Sequence, residues 1–225
     1  MFGKLTHLTP KYIPKEQKSL WSASRLGKCQ RIQLLAAKGL QMPLDSATQR
    51  QYAMATGAHN QVQKWIEDNF TPTSSEYHIK DEELRCSGHI DNIIYDGDTE
   101  YLIEIKTTKF YKQTDTPYWQ RQISFYNDTL GKLHEGKKIV PIVLIAEWGG
   151  RLHPTEPRIS NDYQDVINQL NMYWDMDMLP PWSEESGCKE CRIKHLCTEP
   201  LSTVTEFHDM VMKEVFGVTE KVDEV

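Results

Sequence analysis

Asp91 and the triplet Glu104-Ile105-Lys106 lie on either side of Asp96-Gly97-Asp98. An Asp-Gly step between stretches that alternate apolar and polar residues predicts a β-hairpin. A tight turn at Gly97-Asp98 sets Asp96 opposite Thr99 and Asp91 opposite Glu104. Asp91, Glu104 and Lys106 then share one face, and Ile103 and Ile105 point to the other. Like charges directly opposite one another destabilise a sheet, and desolvation raises the cost. A divalent cation between them removes the conflict, and two oxygen ligands plus waters suit Mg²⁺ or Mn²⁺. Such an ion polarises a phosphoryl oxygen and lowers the pKa of a water, while Lys106 offsets developing charge. These are the parts of phosphodiester hydrolysis. The competing reading is a solvated surface hairpin, and a slip of one residue would turn Asp91 to the other face.

Two further positions bear on the same chemistry. His59 falls on the apolar stripe of a long helix, whose positions Tyr52, Ala55, Val62 and Ile66 follow helical spacing, and so, between Ala55 and Val62, faces inward. It is either a hydrogen-bonded core histidine or a third metal ligand. Gln122 and Tyr126 are four apart on a helix and offer an amide and a phenol to one spot; ordinary helix surface would look the same.

The second chemical signal is Cys188-x-x-Cys191 with Cys197, in a loop-rich segment. Three cysteines this close in a chain without a secretory signal point to metal thiolates rather than disulfides. Cys29 and Cys86 are the candidates for a fourth ligand. Cys86 sits inside a predicted strand and reads as a small buried hydrophobe, so Cys29, in a basic first helix, is favoured. One distant cysteine plus a compact trio leans toward a 4Fe–4S cluster over Zn²⁺. Lys28 and Arg31, flanking Cys29, would then be available to a DNA backbone.

The elements that must position these residues follow from periodicity and caps. Ser22 and Ser24 can cap a helix to about Lys38 that stops at Gly39; Asp45 and Ser46 can cap a second, to about Phe70. Two or three antiparallel strands fill 76–108. A helix spans about 117–130, with Pro117 in its first turn, a buried strand 139–148, and a helix 161–178. Thr203 and Glu206 form a capping box for a last helix that stops at Gly217. The order is α, α, β-β-β, α, β, α and a cysteine segment. It divides into a basic N-terminal segment (1–44), a catalytic core (45–180), the cysteine segment (181–200) and a C-terminal helix with an acidic tail (201–225).

The 225 residues carry 26 basic and 32 acidic side chains, a net charge of −6, which excludes coating nucleic acid through overall charge but not a local basic groove. The distribution is uneven: residues 1–38 hold eight Lys/Arg against Glu16 alone, and residues 198–225 hold seven acids against two lysines. No apolar run approaches the roughly 20 residues that span a bilayer, and the expectation is a cytoplasmic protein with no membrane partner.

Taken together these features resemble the PD-(D/E)XK nuclease superfamily, whose α-β-β-β-α-β core carries Asp on one strand and Glu-x-Lys on the next. Its RecB-like branch adds an upstream helical His and a downstream Gln-x-x-x-Tyr, and its iron–sulfur members add one N-terminal and three C-terminal cysteines. The matching positions are His59, Asp91, Glu104, Lys106, Gln122, Tyr126, Cys29, Cys188, Cys191 and Cys197. Gly88-His89-Ile90-Asp91 stands where the nominal motif has Pro-Asp. The chain looks most like compact CRISPR-associated exonucleases of the Cas-four family and their stand-alone, often phage-borne relatives. The resemblance implies a metal-dependent exonuclease on DNA ends that prefers single strands. In it His59, Asp91, Glu104 and the carbonyl of Ile105 hold the metal, Lys106 serves hydrolysis, Gln122 and Tyr126 position the strand, and the 4Fe–4S cluster holds the fold. A CRISPR adaptation subunit working with integrase proteins, and an iron–sulfur DNA-binding module without cleavage, are the rival readings.

Overall fold

The computed structural model describes residues 21–40, 46–111, 117–182, 191 and 193–217. Cys188 and the acidic tail lie outside them. Among the described residues the chain forms a mixed α/β fold with five helices and a six-stranded mixed sheet, and no helix there is long and apolar enough to cross a membrane. It divides into two compact units. One takes in residues 18–27 and 44–168, the other 1–17, 28–43 and 169–225.

The larger unit holds the sheet. Its strands are β1 (Trp21–Ser22), β2 (Thr73–Asp81), β3 (Cys86–Asp96), β4 (Thr99–Thr108), β5 (Lys138–Glu147) and β6 (Leu152–Thr155). Gly97, at φ +58, makes the turn between β3 and β4, a conformation that glycine adopts without steric cost. The hairpin register runs Asp96↔Thr99 to Asn92↔Ile103, as counted from the turn. β4 then pairs with β5 in parallel over ten residues, and the connection between them contains helix α3 (Pro117–Leu133). Parallel neighbours need such a crossover. Helix α2 (Ser46–Asn69) covers the other face: Ile66 packs on Ile103 and Ile105, which alternate with Glu104. A cavity of about 740 Å³ opens on this face, lined by residues that include Trp65, Phe70, Tyr101 and Leu144.

β3 is forked. β2 runs along one edge of it from Cys86 to Ile94. The other edge is shared, with β4 on residues 92–96 and the two-residue β1, in parallel, on Cys86 and Ser87. Residues 88–91 lie between the two pairings. The β2 ladder is interrupted here as well, because Glu76 takes φ +49 and drops out between Ser75↔Asn92 and Tyr77↔Ile90. A non-glycine residue rarely occupies this region. The fork therefore opens at Gly88-His89-Ile90-Asp91.

The smaller unit contains α1 (Gln30–Ala37), the last turns of α4 (Asp162–Asp175) and α5 (Val204–Phe216). Its core joins Leu35, Leu40, Leu179, Ile193, Leu196, Phe207 and Val211. The expected capping box is present: Thr203 Oγ1 accepts from Glu206 N at 3.0 Å, Glu206 Oε2 accepts from Thr203 N at 3.1 Å, and Gly217 ends α5 at φ +66.

Three local expectations are corrected. The first helix starts at Gln30, since Ser22 lies in β1, residues 23–25 form a 3-10 turn and Cys29 is the N-cap. Ser22 and Ser24 hydrogen-bond each other instead of capping it. Tyr52, expected inside α2, is 56 % exposed because the N-terminal half of that helix lies mostly in solvent. β6 was not expected. Cys86 is fully buried in β3, as expected of a small hydrophobe.

Gly88 gives this fork a direct test. A Cβ there would stand 2.5 Å from the Tyr126 hydroxyl and 2.6 Å from its ring. Gly88→Ala is expected to displace Tyr126 and destabilise the fold by about 1–3 kcal/mol in urea titration; unchanged stability would show that the ring yields freely.

Candidate functional site

Asp91 and Glu104 come together where the hairpin ladder stops. Asn92↔Ile103 is the last pair, and the next hydrogen-bonding residue on β4, Ile105, donates its N–H to Asp91 Oδ2 at 2.6 Å. An extended residue directs its N–H and C=O to the same edge, so the Ile105 carbonyl faces this opening too. Asp91 Oδ1 lies 3.2 Å from His59 Nε2, which reaches it from α2. Glu104 Oε1 accepts from Lys106 Nζ at 2.6 Å and from Gln122 Nε2 at 2.8 Å. Gln122 also accepts from Lys106 Nζ at 2.8 Å and donates to the Tyr126 hydroxyl at 3.1 Å. His59, Asp91, Glu104, Ile105, Lys106, Gln122 and Tyr126 thus form one connected group drawn from α2, β3, β4 and α3. Gly88 was not singled out by sequence reasoning; an isolated Gly inside a strand, a mark of close approach, was the available signal.

The electrostatics are those of a site short of positive charge. Glu104 is 3 % exposed and its Oε2 is buried with no hydrogen-bond partner. Burial pushes its carboxyl up to about 7; Lys106 opposes that shift and Asp91 adds to it. His59 is raised above its ordinary value chiefly by its hydrogen bond to Asp91, with burial acting the other way. Burial holds the Tyr126 phenol protonated. Among the described residues no three His, Cys, Asp or Glu side chains stand ready-made as a metal-ligand set. The sealed, unpartnered Glu104 Oε2 beside Asp91 and the Ile105 edge is nonetheless a donor set suited to a hard cation.

The cysteines belong to the smaller unit. Cys29 stands at the N-cap position of α1, Cys191 is half-buried and Cys197 is buried. No disulfide joins them. Burial raises the Cys197 thiol pKa; the Arg31 charge lowers it, and Cys29 and Cys191 both raise it, so the three thiols are electrostatic neighbours. Among the described residues these three thiols do not form a metal-ligand set; the fourth candidate, Cys188, lies outside the described residues.

Arg31 is a correction. Expected to meet DNA, it is buried instead. Its Nε and Nη2 donate to the Pro180 carbonyl at 2.9 and 2.7 Å, and Nη1 to the Cys197 carbonyl at 3.0 Å. Three of its five N–H donors go to these carbonyls, and the side chain is buried because α1 uses this residue on its packed face with Leu34 and Leu35. Lys28 is exposed, and its carbonyl accepts from Gln33.

In chelator, the folded chain holds the Glu104 proton more tightly than the unfolded chain does. That contribution is fully present below the ordinary value of 4.5 and lost as pH rises through about 7. His59 has the same sign: its contribution is present below 6.5 and lost above that. Melting temperature in EDTA should therefore fall from about pH 5 to about pH 8, and Glu104→Gln should flatten the fall. An unchanged slope in that variant would remove Glu104 as the titrating group.

No family model matches the sequence, and no curated protein matches it. Among solved structures the chain is similar to SSO0001, known from a crystal structure, at 18 % identity and a TM-score of 0.54, over 88 % of this chain and 91 % of that one. What the two share is the fold.

Proposed function

We propose that the protein is a metal-dependent deoxyribonuclease with a restriction-endonuclease-like PD-(D/E)XK core, acting exonucleolytically on DNA ends and preferring single strands. The observation that carries this reading is the sealed Glu104 carboxylate with an unpartnered oxygen, set against Asp91 and tied to Lys106 and Gln122. A structural carboxylate would be exposed or fully paired.

Asp91 and Glu104 would hold Mg²⁺ or Mn²⁺, with the Ile105 carbonyl and His59 completing the protein ligands. The ion would lower the pKa of a water and polarise the scissile phosphoryl oxygen. The remaining work falls to the chain itself. Lys106 keeps an ammonium beside the carboxylates, where it can orient the attacking water and donate to the phosphoryl oxygen as charge builds. Gln122 bonds both Lys106 and Glu104, which fixes that ammonium before substrate arrives. His59 must release Asp91 to act as a ligand, and does so as a neutral imidazole. Tyr126, protonated and packed on Gly88, braces Gln122 from below. Cys29, Cys188, Cys191 and Cys197 would hold a 4Fe–4S cluster that ties distant parts of the smaller unit together.

Mg²⁺ or Mn²⁺ should support digestion of single-stranded DNA, and EDTA should stop it. Asp91→Ala and Glu104→Ala are expected to abolish turnover with the circular dichroism spectrum unchanged. His59→Ala should weaken metal affinity, so that excess Mn²⁺ restores part of the activity. Unimpaired digestion by Glu104→Ala would falsify the site.

Iron analysis and visible absorbance test the cluster. Cys29→Ala should lose iron and colour, whereas Cys86→Ala should keep both and lose only packing stability. The reverse pattern would make Cys86 the fourth ligand.

A further inference from the structure

The cavity on the α2 face of the sheet takes no part in the candidate site. Ile103 and Glu104 are successive residues of β4 and point to opposite faces, so the cavity lies behind the sheet from the acidic group. α2 packs on this face chiefly over β4, through Ile66 on Ile103 and Ile105. Past that contact, Ile142 and Leu144 on β5 and Leu152 on β6 are only half-buried, and they form the cavity floor. Trp65 and Phe70, at the end of α2, form one wall. Their rings meet edge to face with centres 5.7 Å apart, and they remain 46 % and 39 % exposed.

Two properties of this lining select what fits. The floor is hydrocarbon, so water held against it finds few polar partners. An apolar molecule would instead remove its own surface and that of the floor from water together. A volume of about 740 Å³ falls within the range of small-molecule sites. The second property is charge. Among the described residues lining the cavity, Asp96 is the charged one, and it stands at the exposed hairpin end of β3. A carboxylate and the aromatic rings of Trp65, Phe70 and Tyr101 all favour a cation and disfavour an anion. A nucleic acid backbone is therefore a poor occupant.

We propose that this cavity is a binding site for a small amphiphilic organic cation. Its apolar body would lie on the floor of Ile142, Leu144 and Leu152, against Trp65 and Phe70, and its ammonium-type head would point toward Asp96. The site is separate from the proposed metal site, and the proposal stands or falls independently of the nuclease reading.

The test uses probes that share a naphthyl body and differ in the head: naphthylethylammonium, naphthylethanol and naphthylacetate, each titrated into the full chain by isothermal calorimetry at low salt. The ammonium probe should bind about tenfold more tightly than the carboxylate, with the alcohol between them. Asp96→Asn should bring the ammonium and alcohol probes together without loss of the alcohol's affinity. Trp65→Ala, a change at an exposed wall, should weaken all of them about tenfold. Leu144→Trp fills the floor and should abolish binding; if its melting curve shows that it does not fold, Trp65→Ala carries the test alone. Equal binding of the carboxylate and ammonium probes overturns the proposal, as does undiminished binding by Trp65→Ala or the lack of saturable binding by any probe. A dimer in sedimentation equilibrium that Trp65→Ala dissociates also overturns it, because the face would then belong to a second copy of the chain.

Discussion

Glu104 Oε2, sealed from water and bonded to nothing, sets the terms for the larger unit. A carboxylate in that position is tolerable only where its other oxygen is well served and cations stand close, and the surrounding elements meet that demand from two directions. β4 supplies Lys106 two residues on, on the same face. α3 supplies Gln122, which bonds both the carboxylate and the ammonium. Asp91 cannot approach as an ordinary ladder partner without bringing like charges together. The sheet opens instead, and the Asp91 carboxylate takes the Ile105 N–H that the ladder gave up.

The two units present mirror-image charge problems. In the larger one, two acids are buried beside a lysine and an imidazole. In the smaller one, a guanidinium is enclosed by backbone carbonyls. Both arrangements are costly to desolvate, and the buried charge has opposite sign at the two places.

What could be read in advance was local. The β3–β4 hairpin follows from Asp96-Gly97-Asp98, and once the turn is placed the register is simple counting. The capping box at Thr203 and Glu206 and the stop at Gly217 are contained within a few residues. β1 left no local trace, because two residues pair with a strand far along the chain. β6 is short and contains Pro154, which argues against a strand. Ser22 and Ser24 carry a genuine capping signal that their mutual hydrogen bond consumes. Charge counting placed Arg31 on a surface, and only packing distinguishes a guanidinium offered to solvent from one enclosed by carbonyls. Likewise, the shared face of Asp91 and Glu104 was accessible from periodicity, whereas the capture of a backbone N–H by Asp91 depends on a fork that requires β1, β2 and β4 together.

Glu76 and Pro154 have a consequence for the company the protein keeps. A six-stranded open sheet ends in two rows of amide groups that could recruit a strand from another molecule. Among the described residues neither border is a usable template. Along β2 the row is bent out of line at Glu76 by its left-handed backbone, and along β6 it is four residues long and lacks the donor that Pro154 cannot supply. The same distortion that lets Asp91 leave the ladder on one side of β3 thus guards the sheet against fibrous self-association.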